Sequence, residues 1–225
     1  MKMNAFTLAE ILITLAVIGV IAALTLQPLT KKYKKLETVT KLKKAYTTIN
    51  EALRLSETDN GDYQTWESGI DLGPEEYLKK YWLPYFNVYK LCTTFSECGY
   101  TSDFPWTLMD GSRLNYNFSL SSRRIPFIAT DGILYQISVA VGNTDNVSVN
   151  QTTINIDING SKGPNIVGKD YFKFTRTDTN GIMPLGYNIT KKSTINSSCS
   201  KSGGCSYCAE KIRRAGWKIS DDYPW

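Results

Sequence analysis

Glu10 is the first residue of this chain with chemistry to perform. It is the one charge in the twenty-four residues 6–29, an otherwise apolar run from Phe6 through Leu29. A carboxylate inside such a run costs free energy in lipid unless a cation meets it, so it marks a functional residue whose partner has to be found. Five cysteines, at 92, 98, 199, 205 and 208, form the second group. Cys92 and Cys98 enclose a short loop and are expected to pair. Of Cys199, Cys205 and Cys208, two are expected to pair; Cys199 with Cys208 is favoured because only two residues separate Cys205 from Cys208. A thiolate zinc site on the same three residues is the alternative chemistry. The third group lies in residues 157–170, where Asp157, Asn159 and Ser161 place oxygen ligands at alternate positions, as calcium loops do, and Asn165 and Asp170 follow. Gly168 stands where an EF-hand carries its bidentate Glu. Lys162 and Lys169 oppose a dication, and Asx-turns account for the same residues. The expectation is no cofactor, with Asp157, Asn159 and Asp170 as the ligands if calcium binds.

Catalytic readings find little to work with. The chain has no histidine, which removes the usual triads and the commonest general base. Ser198 and Lys201 match a Ser-x-x-Lys spacing, but the companion Ser-Asp-Asn and Lys-Thr-Gly motifs are missing. No glycine-rich phosphate loop follows a strand. A protein without enzymatic activity is expected. The net charge is +5, and its excess is local. Residues 30–59 hold eight basic side chains (Lys31, Lys32, Lys34, Lys35, Lys41, Lys43, Lys44 and Arg54) against four acidic ones. The remainder of the chain is nearly neutral, so nucleic-acid binding through that part alone is not expected. The lysines directly abut the apolar run, within reach of lipid head groups.

These residues need elements to hold them. At about 1.5 Å per residue, residues 6–29 are long enough to cross a hydrocarbon core of roughly 30 Å. Beyond Pro28, Leu29, Tyr33, Leu36, Val39, Leu42, Tyr46, Ile49 and Leu53 recur every three or four residues as one apolar stripe. Together they predict one helix over 6–56, about 50 residues and roughly 75 Å long, kinked or locally melted at Pro28. Turn-forming residues 56–62 end it. Residues 57–225 then suffice for one hydrophobic core. Residues 74–90 read as short helical turns with aromatic anchors, and strand-like runs follow at 113–120, 125–130, 133–141, 152–158 and 171–177. Asp131-Gly132 between two of them signals a tight turn. The last two runs alternate polar and apolar, as in a half-buried antiparallel sheet. The predicted fold is α+β: a long N-terminal helix packed on a C-terminal head with an antiparallel sheet.

The segment Ala5-Phe6-Thr7-Leu8-Ala9-Glu10 resembles the processing site of type IV pilins and type II secretion pseudopilins. An ordinary signal peptide is the plainer reading, but the leader is very short here and the apolar run exceeds the usual core of about 7–15 residues. In the resembling family a membrane peptidase cuts after a small residue, usually Gly and here Ala5, and methylates the new amine, here on Phe6. The resemblance divides the chain into a leader (1–5), a membrane and filament-core helix (6–29), an amphipathic stalk helix (30–56) and a pilin-like head (57–225). It supplies a cation for Glu10 in the Phe6 amine of a neighbouring subunit, which sets docking and register. The partners it implies are identical or related pilin subunits, the prepilin peptidase, an inner-membrane assembly platform and, before assembly, membrane lipid. It places the chain in the bacterial inner membrane as a single-pass protein with the head in the periplasm or outside, then in a pilus or pseudopilus. The positive-inside rule alone would put the lysine flank on the cytoplasmic side; the resemblance implies the reverse. Pilin heads often close their C-terminal region with a disulfide. The 157–170 loop and the ending from Gly216 to Trp225 also look like poorly characterised pilin-like bacterial proteins. Two other expectations are weighed: a minor tip subunit whose head, with Trp82, Trp106, Trp217 and Trp225, binds a surface, DNA or a secreted substrate, and a membrane-anchored exported domain that never polymerises.

Overall fold

The structure, a computed structural model, describes residues 7–67, 69, 71–102, 104–114, 124–138 and 152–225. Contacts divide the chain into two units, Met1–Glu37 and Thr38–Trp225. Helix α1 spans Leu8–Asn60. It is continuous through Pro28, so the loss of one N–H does not melt it there, and it ends four residues later than expected. Gly61, at φ 79°, takes the left-handed conformation that stops a helix. Asn60 Nδ2 turns back to the Ser56 carbonyl (3.1 Å) and also donates to Tyr85 Oη (2.9 Å).

In the first unit the described residues from Leu8 onward are helix, and their large apolar side chains are exposed, from Leu8 through Leu36. In the second unit the helix contributes to a core. The predicted stripe therefore divides: Leu29, Tyr33 and Leu36 are exposed, whereas Val39, Leu42, Ile49 and Leu53 are buried. Small residues at Ala45 and Ala52, also buried, keep that face flat.

The sheet has six strands in sequence order, each antiparallel to the next: β1 (Val88–Leu91), β2 (Arg124–Ala129), β3 (Leu134–Ser138), β4 (Thr153–Asp157), β5 (Tyr171–Arg176) and β6 (Ile182–Pro184). β2 to β5 fall on the predicted runs. The run at 113–120 does not form a strand where it is described: Arg113 makes only an isolated bridge with Thr107, and 115–120 lie outside the described residues, as do 139–141. The turn between β2 and β3 is the expected Asp-Gly turn. Gly132 has φ 81°, and Asp131 Oδ1 accepts the Ile133 N–H at 3.2 Å. Helices α2 (Pro74–Tyr81), α3 (Lys192–Ser198) and α4 (Cys208–Arg214) complete the fold. β1, β6, α3 and α4 went unpredicted. Each is at most seven residues long, and β1 is an edge strand with a bulge between Val88 and Lys90.

Register explains how α1 docks. Tyr135, Ile137, Ile154, Ile156, Phe172 and Phe174 lie on one sheet face through the pairs Tyr135–Ile156, Ile137–Ile154, Ile156–Phe172 and Ile154–Phe174. Tyr46 of α1 stacks on Phe174. Asn50 clamps β6, accepting the Ile182 N–H at 2.9 Å and donating to the Ile182 carbonyl at 3.1 Å. A Cβ at Gly181 would lie 2.7 Å from Asn50 Oδ1, and its φ is 65°, so glycine is required there. Lys44 pairs with Asp131 on the β2–β3 turn at 2.9 Å.

The opposite face is the surprise. Alternation predicts a solvated polar face, yet Gln136, Asn155 and Lys173, which sit side by side across β3, β4 and β5, are all buried. The C-terminal region roofs them, with Lys173 Nζ donating to Ser206 Oγ at 3.3 Å. Asn155 Nδ2 donates to Gln136 Oε1 at 3.3 Å. The row is only partly paired, since Gln136 Nε2 finds no hydrogen-bond partner among the described residues, and sequence alternation alone cannot distinguish such burial from exposure.

Candidate functional site

Glu10 finds a partner inside its own chain. Its Oε2 accepts the Thr7 N–H and the Thr7 hydroxyl, each at 2.8 Å, and its own N–H donates to Thr7 Oγ1 at 3.2 Å. This is a capping box, in which Thr and a Glu three residues on satisfy two orphan donors of the first helical turn. The Thr-x-x-Glu spacing ahead of an apolar run carries that signal openly. Ala5 and Phe6, the predicted processing residues, lie outside the described residues. The helix that Glu10 opens is long and apolar enough to cross a membrane by length and composition, and none of its most apolar window is buried. A signal sequence passes the same test.

In the head the three predicted loop ligands are placed by two different needs. Asp157, at the end of β4, is fully buried. Its Oδ2 accepts Trp106 Nε1–H at 2.7 Å and the Tyr100 hydroxyl at 3.0 Å, and its Oδ1 accepts the Asn159 N–H at 3.2 Å. Burial pushes its carboxyl up to about 7, against the pull of those hydrogen bonds. Burial also raises the carboxyl of Asp170, whose Oδ2 accepts the Ile166 N–H at 3.1 Å. Asn159 Nδ2 reaches Asp170 Oδ1 and the Gly163 carbonyl, both at 3.4 Å. The carboxylates are thus engaged by the protein's own N–H and O–H donors. Among the described residues no three Asp, Glu, Cys or His side chains converge as a metal group. The arrangement holds a turn together.

The cysteines form Cys92–Cys98 and Cys199–Cys208 disulfides, and Cys205 is a buried free thiol raised by burial. With Cys199 and Cys208 joined, the thiolate zinc set is not available. Of the four tryptophans considered for ligand binding, Trp82 and Trp106 are core residues. Trp217 is half-buried with its ring 5.1 Å from Tyr46, and Trp225 is half-buried with Lys169 Nζ over its ring. Ser198 Oγ accepts the Tyr207 N–H at 3.3 Å. Other buried charges escaped sequence reasoning. Glu210, fully buried in α4, is clamped by Arg213 at 2.8 Å and Arg214 at 2.5 Å, and Arg176 lies over the Tyr63 ring with Glu57 3.9 Å away. The Glu-x-x-Arg-Arg spacing was legible as helical ion pairing; its burial was not.

A protein-family model matches residues 28–225. The chain belongs to that family, a family of unknown function (DUF6613). No curated protein and no solved structure matches the chain. The DUF6613 match opens at Pro28, so it takes in the lysine cluster, the second part of α1 and the whole head, and leaves out the apolar run that precedes them.

Proposed function

We propose that this DUF6613 protein is a pilin-like or pseudopilin structural subunit without enzymatic activity. It is cleaved after Ala5, methylated on Phe6 and assembled through α1 into a type IV pilus or type II secretion pseudopilus. The observation that carries this reading is the division of α1. One continuous helix exposes every large apolar side chain over its first part, yet buries Leu42, Ile49 and Leu53 in the core of an α+β head. Exposed apolar surface of that extent requires a cover. Lipid covers it before assembly and the helices of other subunits cover it afterwards. Two disulfides in the head suit an oxidising compartment on the far side of the inner membrane.

Glu10 then has two successive roles. It caps the helix through Thr7 in the single subunit, and in the filament it meets the Phe6 amine of a neighbour. Glu10→Gln separates them, because Gln keeps the acceptor of the capping box but carries no charge. The expected result is full membrane insertion with filament incorporation reduced at least tenfold, measured on sheared filaments from cells. Incorporation equal to the parent would remove the charge from docking and leave the capping role alone. A chain that is anchored but never polymerises would show no filament pool for either protein.

A further inference from the structure

Four lysines, Lys31, Lys32, Lys34 and Lys35, lie within five residues of one another immediately after the apolar run. Lys31, Lys32 and Lys34 are exposed and Lys35 is half-exposed. None of the four forms an ion pair among the described residues, whereas Lys44, farther along α1, and Lys79, Lys80 and Lys211 of the head each have a carboxylate partner. The helix arranges them. At about 100° per residue the four lysines occupy an arc of about 160°, while Leu29, Tyr33 and Leu36 fall within about 60° on the other side. Along the axis the lysines span only about 6 Å, the depth of a single head-group layer rather than of an extended polyanion. The helical residues before them, Leu8–Leu29, extend about 33 Å, which matches the hydrocarbon thickness and brings the lysines to its edge. Tyr33, 66% exposed in the middle of the cluster, has the apolar ring and polar tip that favour the same interface.

We propose that Lys31, Lys32, Lys34 and Lys35 form a one-sided basic collar that binds anionic phospholipid head groups while the subunit resides in the membrane. The inference rests on the membrane stage of the function proposed above and adds its lipid partner. Each lysine contributes through charge attraction at the surface, and the flexible stems let the ammonium groups rise to the phosphate level. The collar holds a locally enriched shell of anionic lipid that must be shed when the helix leaves the bilayer, so it acts as a brake on extraction.

The test uses the full chain reconstituted in phosphatidylcholine vesicles doped with spin-labelled phosphatidylglycerol or spin-labelled phosphatidylcholine. Resistance to alkaline carbonate extraction reports insertion independently. The expected result is that inserted protein enriches phosphatidylglycerol over phosphatidylcholine at least ~3-fold, a preference lost in high salt and in the variant carrying Lys31→Gln, Lys32→Gln, Lys34→Gln and Lys35→Gln. Lys43→Gln, about 12 Å farther along the helix, leaves it unchanged. Carbonate-resistant protein with equal affinity for both lipids, or a preference that persists in the quadruple variant, overturns the collar and spares the membrane stage. Protein extracted by carbonate overturns both.

Discussion

Asp157 joins the end of β4 to the 157–170 loop through hydrogen bonds of its own carboxyl. Trp106, Tyr100 and the Asn159 N–H are its partners, and full burial sets its carboxyl near 7. The consequence for stability follows from the direction of that shift. Below the ordinary carboxylate range Asp157 is protonated whether the chain is folded or not, so it exacts no penalty there. As pH rises toward 7 the unfolded chain releases the proton and the folded one retains it, so stability falls. Between pH 5 and pH 8 this residue alone costs the folded state on the order of 3 kcal/mol. Asp157→Asn should abolish that component while retaining the acceptor for Trp106. Thermal melts at pH 5 and pH 8 should show the variant losing less stability than the parent; parallel losses would contradict the assignment. The residue was visible in the sequence, and its role was not. A loop of alternating Asp and Asn reads as cation ligands or as turns, and the partner that holds Asp157, the indole N–H of Trp106, lies fifty-one positions away where no local pattern points to it.

At the scale of elements, α1 is two physical objects in one run of backbone. Its stripe was legible from spacing alone, because a 3.6-residue period survives without any knowledge of what covers it. Where the cover begins was not legible: Leu36 and Val39 look equivalent in sequence, yet one is 65% exposed and the other is buried. Truncation should distinguish them. Leu42→Ala or Ile49→Ala removes a fully buried side chain and should cost the head about 2–5 kcal/mol in denaturant unfolding. Leu36→Ala should fall within about 0.5 kcal/mol of the parent. Equal costs would mean that Leu36 is core after all. The sheet gives a parallel lesson. β2 to β5 are found on their predicted runs because each has a strong β-branched or aromatic pattern. β1 and β6 are three or four residues long, and their pairing comes from neighbours, Asn50 among them, rather than from their own sequence.

The whole molecule combines an apolar, unshielded helical segment with a head that is closed on both sheet faces. The head's polar row at Gln136, Asn155 and Lys173 lies under a C-terminal region stapled by Cys199–Cys208, and a second staple at Cys92–Cys98 follows β1 directly. Cysteine spacing points to Cys92–Cys98 as a short enclosed loop and favours Cys199–Cys208 because only two residues separate Cys205 from Cys208, but which of the three C-terminal thiols stays free is open until the fold places it at Cys205. The buried core of the head is built from residues at and beyond Val39. The exposed apolar segment that precedes it is what the proposed function reads as a membrane and filament element. The direct test of that reading is intact and N-terminal peptide mass spectrometry of the protein taken from its native membrane. The expected result is a mature chain that begins at an N-methylated Phe6. A chain that keeps Met1 to Ala5 in cells with an active prepilin peptidase would contradict it and leave an anchored head that does not assemble.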